Sequence, residues 1–580
     1  MFGQSIMVDL SLFRASLLAL GATAIYATGA PPGCRKLPID DDWPALQEWQ
    51  EAIPGVETQN NADSLGPLPD YRIRAKSYAD VQAAVKFAAA KEVRLSVITT
   101  GHDQLGRNIA GSGLIIDLSL LQGARVSASF EATPEGVECL HGNESIQTIT
   151  PIPGKQAAVT FNPAFNGLDL NTALDASGLF LVGGTHAGVA AAGGWGQNGG
   201  YGPFTAQYGL GVDQWLEAKI ITPDGELRVA NEVSNPELFW AIRGGGGSTF
   251  GVVVEATWKL HPLTPVLGFY WYINSTLPAN ITDQKTGRTQ TSEAMAYLFS
   301  QLPEVHSKGN ISAYFYVQGD HIRCHAIHIG ERANVADANG IWGPILTKMQ
   351  SFPGMTPFQS KHFLFDGYMD FFHTTYGPAE NVGAPTSHGI VPYDSHFLSA
   401  THLQSPNLTY ALRGTAGGMG VLMTTPGMTR GDGSNTAANP GWRNATVFLV
   451  GWKSETTNVD GLREFAPGIG TYINEANTDE PNWSNHFWGS NYPRLSALKS
   501  ELDPNMIFWI SPGVNADHMQ VVDGRPCLIQ PTPTEPSLYA PHTERHVEAD
   551  LVNDREFLFG FQELIGTQFP APGELVGLQP

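Results

Sequence analysis

The first residue that could do chemistry is a histidine in a loop. In TTGHDQLGRN, Thr99 to Asn108, His102 stands between a glycine and an aspartate, shortly after an apolar run. An imidazole in such a place could act as a catalytic base, a metal ligand, the attachment point of a further group, or a turn residue bonded to its own loop. The glycine-rich segments farther along the chain bear on this choice.

Two glycine-rich segments could hold an anionic ligand. Gly183 to Gly202 is a run of small residues that contains GGWGQNGG, a match to G-x-G-x-x-G. No helical pattern follows it, so a dinucleotide-binding helix N-terminus is not predicted. We interpret the run as backbone that approaches a ligand closely, with a tight surface loop as the alternative. Arg243 to Gly251, RGGGGSTFG, has apolar flanks that favour a tight buried turn beside a ligand over a flexible linker.

A histidine-rich strand is the competing candidate site. In DHIRCHAIHIG, 320–330, the side chains of His321, Arg323 and His325 alternate onto one strand face and His328 falls on the other. Metal binding through His321 and His325 is compatible with this geometry. The arginine between them favours a solvated sheet face instead, so no metal site is predicted.

The elements that position His102 are predicted from periodicity and capping. Ser77 has the cap position of a helix that runs to about Lys91, and Asp80 stands three residues after it. Strands are predicted at 94–98 and 114–118, so the histidine loop lies between two strands. A second unit follows, with a strand at 158–161, a helix at 168–176 and strand-like runs at 218–230 and 250–260. The first half is therefore an α+β body.

The residue pattern of the sequence changes after residue 262. Aromatic strands such as GFYWYI, SAYFYV and ATVFLVGW predict a second domain built on an antiparallel sheet. The aromatic cluster HFLFDGYMDFFHTTYG, 362–377, either lines a substrate pocket or belongs to the core. NYPRLSALKSELDP predicts an amphipathic helix that ends at Asp503-Pro504, and the tail beyond Cys527 is proline-rich.

The overall charge and composition limit the partners and the location that the protein is expected to have. A formal charge of −22 repels phosphate backbones and anionic lipid surfaces, which argues against nucleic acid as a partner. Arg14 followed by the apolar run 15–27 predicts a secretory signal too short to span a bilayer, and no membrane anchor is expected elsewhere. Four widely spaced cysteines permit one or two disulfides whose pairing the sequence does not choose. N-glycans are expected at some of seven sequons, at Asn143, Asn274, Asn280, Asn310, Asn407, Asn444 and Asn482.

These motifs together resemble a known family. GHD at 101–103, the run 183–202 and RGGGGSTFG resemble the vanillyl-alcohol-oxidase/PCMH-type FAD-linked oxidoreductases, in particular the fungal berberine-bridge-enzyme-like (isoamyl-alcohol-oxidase-like) branch. YINEANTDEPNW at 472–483 and FWGSNYPRLSALKSELDP at 487–504 resemble the C-terminal signature of that branch. The matches span about residues 65–515 in the family's order.

The resemblance implies a domain plan. It gives a signal peptide (1–30), an FAD-binding domain (31–261), an inserted antiparallel-sheet substrate domain (262–483), a return to the FAD domain (484–527) and a proline-rich tail (528–580). The implied fold is an α+β, two-part FAD-binding domain with the substrate domain between its parts.

The resemblance also implies a role for His102. In such proteins the loop histidine bonds covalently to the 8-methyl carbon of FAD, and attachment retains the cofactor and raises its potential. Many relatives add a cysteinyl link from the second loop, but His186 or Ala187 holds that position here, so a single link is expected. Arg107 would supply the positive charge beside the diphosphate. The full set of expected cofactor-binding residues is Gly101, His102, Asp103, Gly106, Arg107, Asn108, Gly184, His186, Val189, Gly193, Gly194, Gly199, Gly200, Val253 and Asn491.

The catalytic residues are expected in YINEAN. The pattern predicts a strand with Tyr472 and Asn474 on one face and Ile473 and Glu475 on the other. Hydride removal from an alcohol or amine carbon needs a base, for which Tyr472 is the first choice and Glu475 the second; a structural role for both is an equal alternative. Asn491 is expected to contact the flavin or its ribityl chain.

The function expected from these residues is that of a secreted FAD-dependent oxidase. It would take hydride from a small organic substrate, for example an intermediate of fungal secondary metabolism, and reduce O2 to H2O2. An extracellular oligosaccharide oxidase is the nearer alternative, and a non-catalytic secreted glycoprotein with the same fold is the alternative from another class.

Overall fold

The computed structural model describes residues 29–59, 68–141, 144–276, 292–318, 321–376, 392–415 and 418–529. The expected signal segment, the sequons at Asn143 and Asn280, and the tail from residue 530 lie outside the described residues.

A small mixed sheet carries the histidine loop. Its order is β1-β2-β4-β3, with β4 parallel to both neighbours. The helix after β2 begins as predicted, because the Ser77 hydroxyl accepts a hydrogen bond from the Asp80 amide while Asp80 bonds the Ser77 amide. Its buried face, which includes Val81 and Val85, packs on the sheet. The elements are α1 (Leu46–Ala52), β1 (Glu57–Thr58), β2 (Tyr71–Arg74), α2 (Tyr78–Lys91), β3 (Leu95–Ile98) and β4 (Leu114–Asp117).

A second, antiparallel sheet follows, with the order β5-β6-β10-β8-β9. The glycine run between β7 and β8 is mostly buried, which excludes a surface loop. A Cβ on Gly202 would lie 2.0 Å from the carbonyl oxygen of Gly183, so the two ends of the run pack backbone against backbone. The elements are β5 (Ala124–Ser127), β6 (Ala158–Phe161), α3 (Gly167–Leu174), β7 (Leu179–Phe180), α4 (Gly196–Asn198), α5 (Thr205–Tyr208), β8 (Trp215–Ile221), β9 (Leu227–Asn231), α6 (Pro236–Ile242), β10 (Val252–Lys259) and β11 (His261–Pro262).

The third sheet is fully antiparallel and has seven strands, in the order β15-β12-β14-β13-β17-β18-β16. Its elements are β12 (Val266–Asn274), α7 (Ser292–Ser307), β13 (Ile311–Gln318), β14 (His321–Ile329), α8 (Val335–Met349), β15 (Gln359–Phe365), α9 (Tyr368–Tyr376), β16 (Tyr393–Leu398), α10 (Ala400–Leu403), α11 (Leu408–Ala411), β17 (Met419–Met423), α12 (Gly441–Asn444), β18 (Val447–Trp452) and α13 (Asp460–Phe465).

The two faces of this sheet have different neighbours. Trp342 of α8 packs on Trp271 and Phe315 on one face. The opposite face carries His325, which is 3% exposed, so the expectation of a solvated face on β14 is wrong. His328 is also buried and accepts a hydrogen bond from the Trp342 indole. Within the described ranges no group of three metal-ligating side chains occurs.

The C-terminal segment returns to the first half of the chain. It contains α14 (Trp483–Trp488), α15 (Tyr492–Leu502), β19 (Met519–Val522) and β20 (Arg525–Leu528). Lys499 of α15 is fully buried, and its ammonium group donates to the carbonyl of Thr249 (2.6 Å), the carboxylate of Asp503 (2.7 Å) and the carbonyl of Phe508 (2.8 Å). The predicted buried turn at 243–251 is thus fastened to the last helix. Across the described residues, no helix combines the length and apolar character needed to cross a membrane.

A disulfide joins the two ends of the described chain. Cys34 is bonded to Cys527 across 493 residues, and Arg525 forms a buried ion pair with Asp40 beside it (2.6 Å). Cys139 and Cys324 have no disulfide partner among the described residues. Of the pairings that the sequence left open, the structure selects one.

Removal of this disulfide is expected to destabilise the fold. Cys34→Ser combined with Cys527→Ser should lower the free energy of unfolding by about 2–5 kcal/mol, because an unfolded chain without the cross-link gains conformational entropy. Thermal unfolding would measure the change. Cys139→Ser, at a half-buried cysteine outside any disulfide, is the control; equal losses in both proteins would contradict the prediction.

Candidate cofactor and active site

The sequence motifs meet at one cleft. It holds about 1130 Å³ of free space, part of which is open solvent. The histidine loop, the glycine run, the RGGGGSTFG turn and the YINE segment each form part of the wall. Its lining residues are Val97, Thr99, Thr100, Gly101, His102, Asp103, Gln104, Arg107, Asn108, Leu118, Pro163, Val189, Ala190, Gly193, Gly194, Trp195, Gln197, Asn198, Gly247, Ser248, Gly251, Val252, Val253, Tyr472, Asn474, Glu475 and Ile510.

The histidine loop is closed by an internal ion pair. Gly101 and Gly106 adopt positive φ (80° and 71°), which turns the chain back so that the Arg107 guanidinium reaches the Asp103 carboxylate at 2.7 Å. The ring of His102 faces the cleft, and its centroid lies 4.8 Å from that of His186. His186 itself is half-buried and is not among the lining residues.

The contacts of the Arg107 side chain differ from the expected ones. Besides Asp103, its guanidinium donates to the side-chain oxygen of Asn474 at 3.0 Å, and its side chain is 7% exposed. Its charge is therefore already paired, on the YINE side of the cleft. Within the described lining no other lysine or arginine occurs, so backbone amides and neutral polar side chains carry most of the capacity to bind an anion.

The glycine run forms the opposite wall through an irregular turn at Ala191–Trp195. A Cβ on Gly193 would lie 2.9 Å from the Thr99 hydroxyl, so glycine lets the two walls approach. Val189, Gly193 and Gly194 line the cleft, as does Val253 from β10. Six of the expected cofactor-binding residues lie outside the lining: Gly106, Gly184, His186, Gly199, Gly200 and Asn491.

The YINE segment is a turn, and the predicted strand is wrong. Tyr472 is extended, but Ile473–Glu475 form a single 3-10 turn. The side chain of Asn474 explains it: it accepts from Asn198 (2.7 Å) and donates to the Gly194 carbonyl (3.1 Å) and the Tyr472 hydroxyl (2.7 Å). These tertiary bonds outweigh the local strand pattern. As a result Tyr472, Asn474 and Glu475 all line the cleft, where a strand would have separated them.

The two candidate bases differ in electrostatics. Burial raises the pKa of Glu475 to about 7, although a hydrogen bond from the Tyr201 hydroxyl, 2.8 Å from both carboxylate oxygens, opposes the shift. Burial and the nearby Glu475 charge raise the pKa of Tyr472 well above its ordinary value. A tyrosine base would need a lowered pKa, which Tyr472, the first choice, does not have; Glu475 is the group suited to accept a proton near neutral pH.

Two residues have roles that sequence reasoning missed. Tyr201 holds the Glu475 carboxylate, and its one signal in the sequence is an aromatic residue at the end of the glycine run. Asn491 is buried away from the cleft, where its amide group donates to the carbonyls of Gly433, Thr436 and Ala438 at 2.8–3.3 Å. The expected contact of Asn491 with the flavin is therefore replaced by support of a neighbouring loop.

The cleft has buried polar atoms, one donor and two acceptors, that a flavin dinucleotide can satisfy. Gln104 Oε1, Asn108 Nδ2 and Asn198 Oδ1 are buried polar atoms of lining residues and have no hydrogen-bond partner in the described structure. Such atoms cost free energy unless a bound molecule satisfies them. FAD offers matching donors and acceptors along its diphosphate, ribityl chain and ring edge, so the residues present fit this cofactor.

Comparison with known protein families gives the same cofactor. Residues 69–231 match the family described as "FAD binding domain", and residues 471–515 match "Berberine and berberine like". The first match contains the histidine loop and the glycine run. The second contains Tyr472, Asn474 and Glu475.

Similar proteins span most of the chain. The FAD-linked oxidoreductase ZEB1 of Gibberella zeae is 28% identical over 497 residues, which cover 80% of this chain and 79% of that protein. The structure of the VAO-type flavoprotein MtVAO615 from Myceliophthora thermophila C1 superposes with a TM-score of 0.70 at 23% identity, covering 86% of this chain and 100% of that one. Glucooligosaccharide oxidase from Acremonium strictum, a structure with 6-S-cysteinyl, 8α-N1-histidyl FAD, gives a TM-score of 0.59 at 18% identity over 79% of this chain and 97% of that one. The chain therefore contains an FAD binding domain and a berberine-like C-terminal segment, and over most of its length it is similar to FAD-linked oxidoreductases and has the fold of VAO-type flavoproteins.

Proposed function

We propose that the protein is an oxidase that removes a hydride from a carbon bearing oxygen or nitrogen in a small organic substrate and reduces O2 to H2O2. The observation that carries the proposal is Glu475, a carboxylate with a pKa near 7 in the wall of the cleft that also contains His102. A group that is half-ionised near neutral pH suits general-base catalysis.

The residues of this chain would have separate roles in the reaction. Glu475 accepts the proton of the substrate hydroxyl or amine, and Tyr201 holds the carboxylate in place by donating to both of its oxygens. Asn474 and Arg107 fix the turn that carries Glu475. FAD, when bound, takes up the hydride and passes two electrons to O2, so an alcohol and O2 give a carbonyl compound and H2O2.

We further propose that FAD is attached covalently through His102 alone. The ring of His102 lies in the cleft. The glucooligosaccharide oxidase structure has a histidyl as well as a cysteinyl bond to FAD. Here no cysteine is present in the described lining, and the second-loop position has His186 followed by Ala187. Neither side chain forms a thioether, which leaves the histidyl bond.

Secretion and N-glycosylation are part of the same proposal. The disulfide between Cys34 and Cys527 favours an oxidising compartment. The sequon residues Asn407, Asn444 and Asn482 are exposed and therefore accessible to modification.

A second candidate function is oxidation of oligosaccharides. An aromatic side chain of the seven-stranded sheet, Tyr314, lies beside Tyr201, which holds Glu475, and a glucooligosaccharide oxidase shares the fold. The two candidates differ in substrate and share the base and the cofactor.

Anaerobic flavin reduction tests both candidates. Purified protein would be mixed without oxygen with aliphatic alcohols, aromatic alcohols, amines, and cello- or xylo-oligosaccharides, and the yellow flavin absorbance followed. Bleaching by a class identifies the substrate, and admission of O2 should then restore the colour and release peroxide. If dithionite bleaches the flavin but no substrate class does, the proposal fails in favour of a non-catalytic glycoprotein.

A further inference from the structure

The segment that carries the candidate base continues into a buried charge cluster. Glu480 lies five residues after Glu475, and its side chain is fully buried, as is that of Asp394 on β16, which is 1% exposed. Both carboxylates are bound by Arg463 of α13, whose side chain is 10% exposed. The function derived so far uses none of these three residues.

Arg463 joins the two carboxylates through directional hydrogen bonds. Its guanidinium donates to Glu480 through Nε (3.0 Å) and a terminal nitrogen (2.5 Å), and to Asp394 through both terminal nitrogens. The Nδ1 atom of His486, on α14, lies 2.7 Å from the same Glu480 carboxylate. Burial opposes the ionisation of Glu480, but the hydrogen bonds from His486 and Arg463 outweigh it and lower the pKa of this carboxyl. Glu480 is therefore a charged group in a buried place, and Arg463 is the cation that it shares with Asp394.

The same segment is bonded to β16 at two further points. The Thr471 hydroxyl lies 2.6 Å from that of Ser395, and the Asn477 side chain donates to the carbonyl of Tyr393 at 3.3 Å. The YINE turn lies between these two points. It is thus held on the substrate-domain side by β16, whereas Asn474 bonds it to the glycine run.

Removal of Arg463 would leave two buried carboxylates without their shared cation. A buried charge that loses its partner is strongly destabilising, so the segment is expected to shift until Glu480 reaches water. Only four residues separate Glu475 from Glu480, so such a shift would carry Glu475 away from its enclosed place beside Tyr201. A carboxyl that becomes more hydrated loses the cause of its raised pKa.

We propose that Arg463 is a positioning residue for the candidate base: its ion pairs with Glu480 and Asp394 anchor the segment after the YINE turn to β16 and keep the Glu475 carboxylate enclosed in the wall of the cleft. Arg463 is not among the lining residues and acts only through this segment. The inference rests on the proposed function, because it assigns the residue that holds the base of that reaction in place.

Infrared titration of the holoenzyme tests the inference without a substrate. The carboxyl C=O stretching band that is present in the native protein and absent in Glu475→Gln reports the protonated base. Its midpoint should lie at about pH 7 in the native protein. In Arg463→Met the midpoint should fall by about one pH unit or more, toward the ordinary value of about 4.3 for a solvated glutamate. Arg463→Lys, which keeps the charge, should recover part of the difference.

Two more variants separate positioning from general stability. Glu480→Gln weakens the same anchor but leaves Asp394 and Arg463 as a balanced pair, so it should fold more readily than Arg463→Met and give a smaller fall in the midpoint. Arg525→Met is the matched control, because Arg525 is also 10% exposed and is paired with a buried carboxylate, that of Asp40, beside the disulfide. It should lower thermal stability and leave the midpoint of Glu475 unchanged.

Three results would overturn the inference. The first is an unchanged midpoint in Arg463→Met, or in Glu480→Gln where Arg463→Met does not fold. The second is an equal fall in Arg525→Met, and the third is a midpoint near the ordinary value in the native protein. Anaerobic flavin reduction judges the proposed function separately, so a substrate that bleaches the flavin would support that function even if Arg463→Met left the midpoint unchanged.

Discussion

Replacement of Glu475 by glutamine is expected to slow flavin reduction by about 100-fold to 10,000-fold, the usual contribution of a general base. The amide keeps the size of the side chain and a hydrogen bond to Tyr201 but accepts no proton. In the native protein, kcat/KM should rise with pH until about 7 and then level off, because the base works only when deprotonated and its pKa is near 7. Rapid-mixing measurements of flavin bleaching across this range would show whether the rise disappears in the variant.

Tyr472→Phe is the matched control. It removes the hydroxyl that was the other candidate base and keeps the ring, so flavin reduction should slow by less than about tenfold, within the cost of a lost hydrogen bond. If Tyr472→Phe abolishes the pH dependence and Glu475→Gln retains it, the assignment of the base is reversed.

Replacement of His102 by alanine is expected to abolish covalent flavin. After acid precipitation, the colour should stay in the pellet of the native protein and move to the supernatant of the variant, because no bond to the chain remains. The reduction potential of the flavin should also fall, since the histidyl link raises it. Absorption spectra of both fractions and a redox titration measure the two effects.

The variant His186→Ala tests whether His186 bonds to the flavin or only lies near His102. The His186 ring lies 4.8 Å from His102 but outside the lining of the cleft, so its removal should leave flavin in the pellet. Free flavin from the native protein would show that His102 only shapes its loop. Free flavin from the His186 variant alone would instead make His186 the attachment residue.

Local patterns predicted three of the helices and the loop that carries His102. The helix from Ser77 to Lys91 is defined by a capping box and a 3.6-residue apolar period, both of which involve neighbours in sequence. The aromatic strands of the third sheet have the same local character. The position of the His102 loop was predicted correctly because the strands on both sides of it were predicted from local patterns.

Long-range contacts account for what the sequence did not predict. The turn at Ile473–Glu475 depends on Asn198 and Gly194, some 280 residues earlier in the chain. The burial of His325 depends on α9, which packs over its strand. The pairing of Cys34 with Cys527 depends on two segments that are 493 residues apart in sequence and meet in the fold. None of these partners can be found from periodicity, because periodicity reports only how a segment relates to itself.

The histidine loop and the YINE turn both line the cleft but are separated by about 370 residues in sequence, and this separation has a consequence for biosynthesis. At about 5–20 residues per second, a ribosome needs roughly 20–75 s to travel from His102 to Tyr472. The histidine loop is synthesised long before the YINE turn exists, so a nascent chain at this stage has only part of the binding site. The YINE side of the cleft can therefore form only after residue 475 has been synthesised, and a product that ends before residue 472 should emerge without colour.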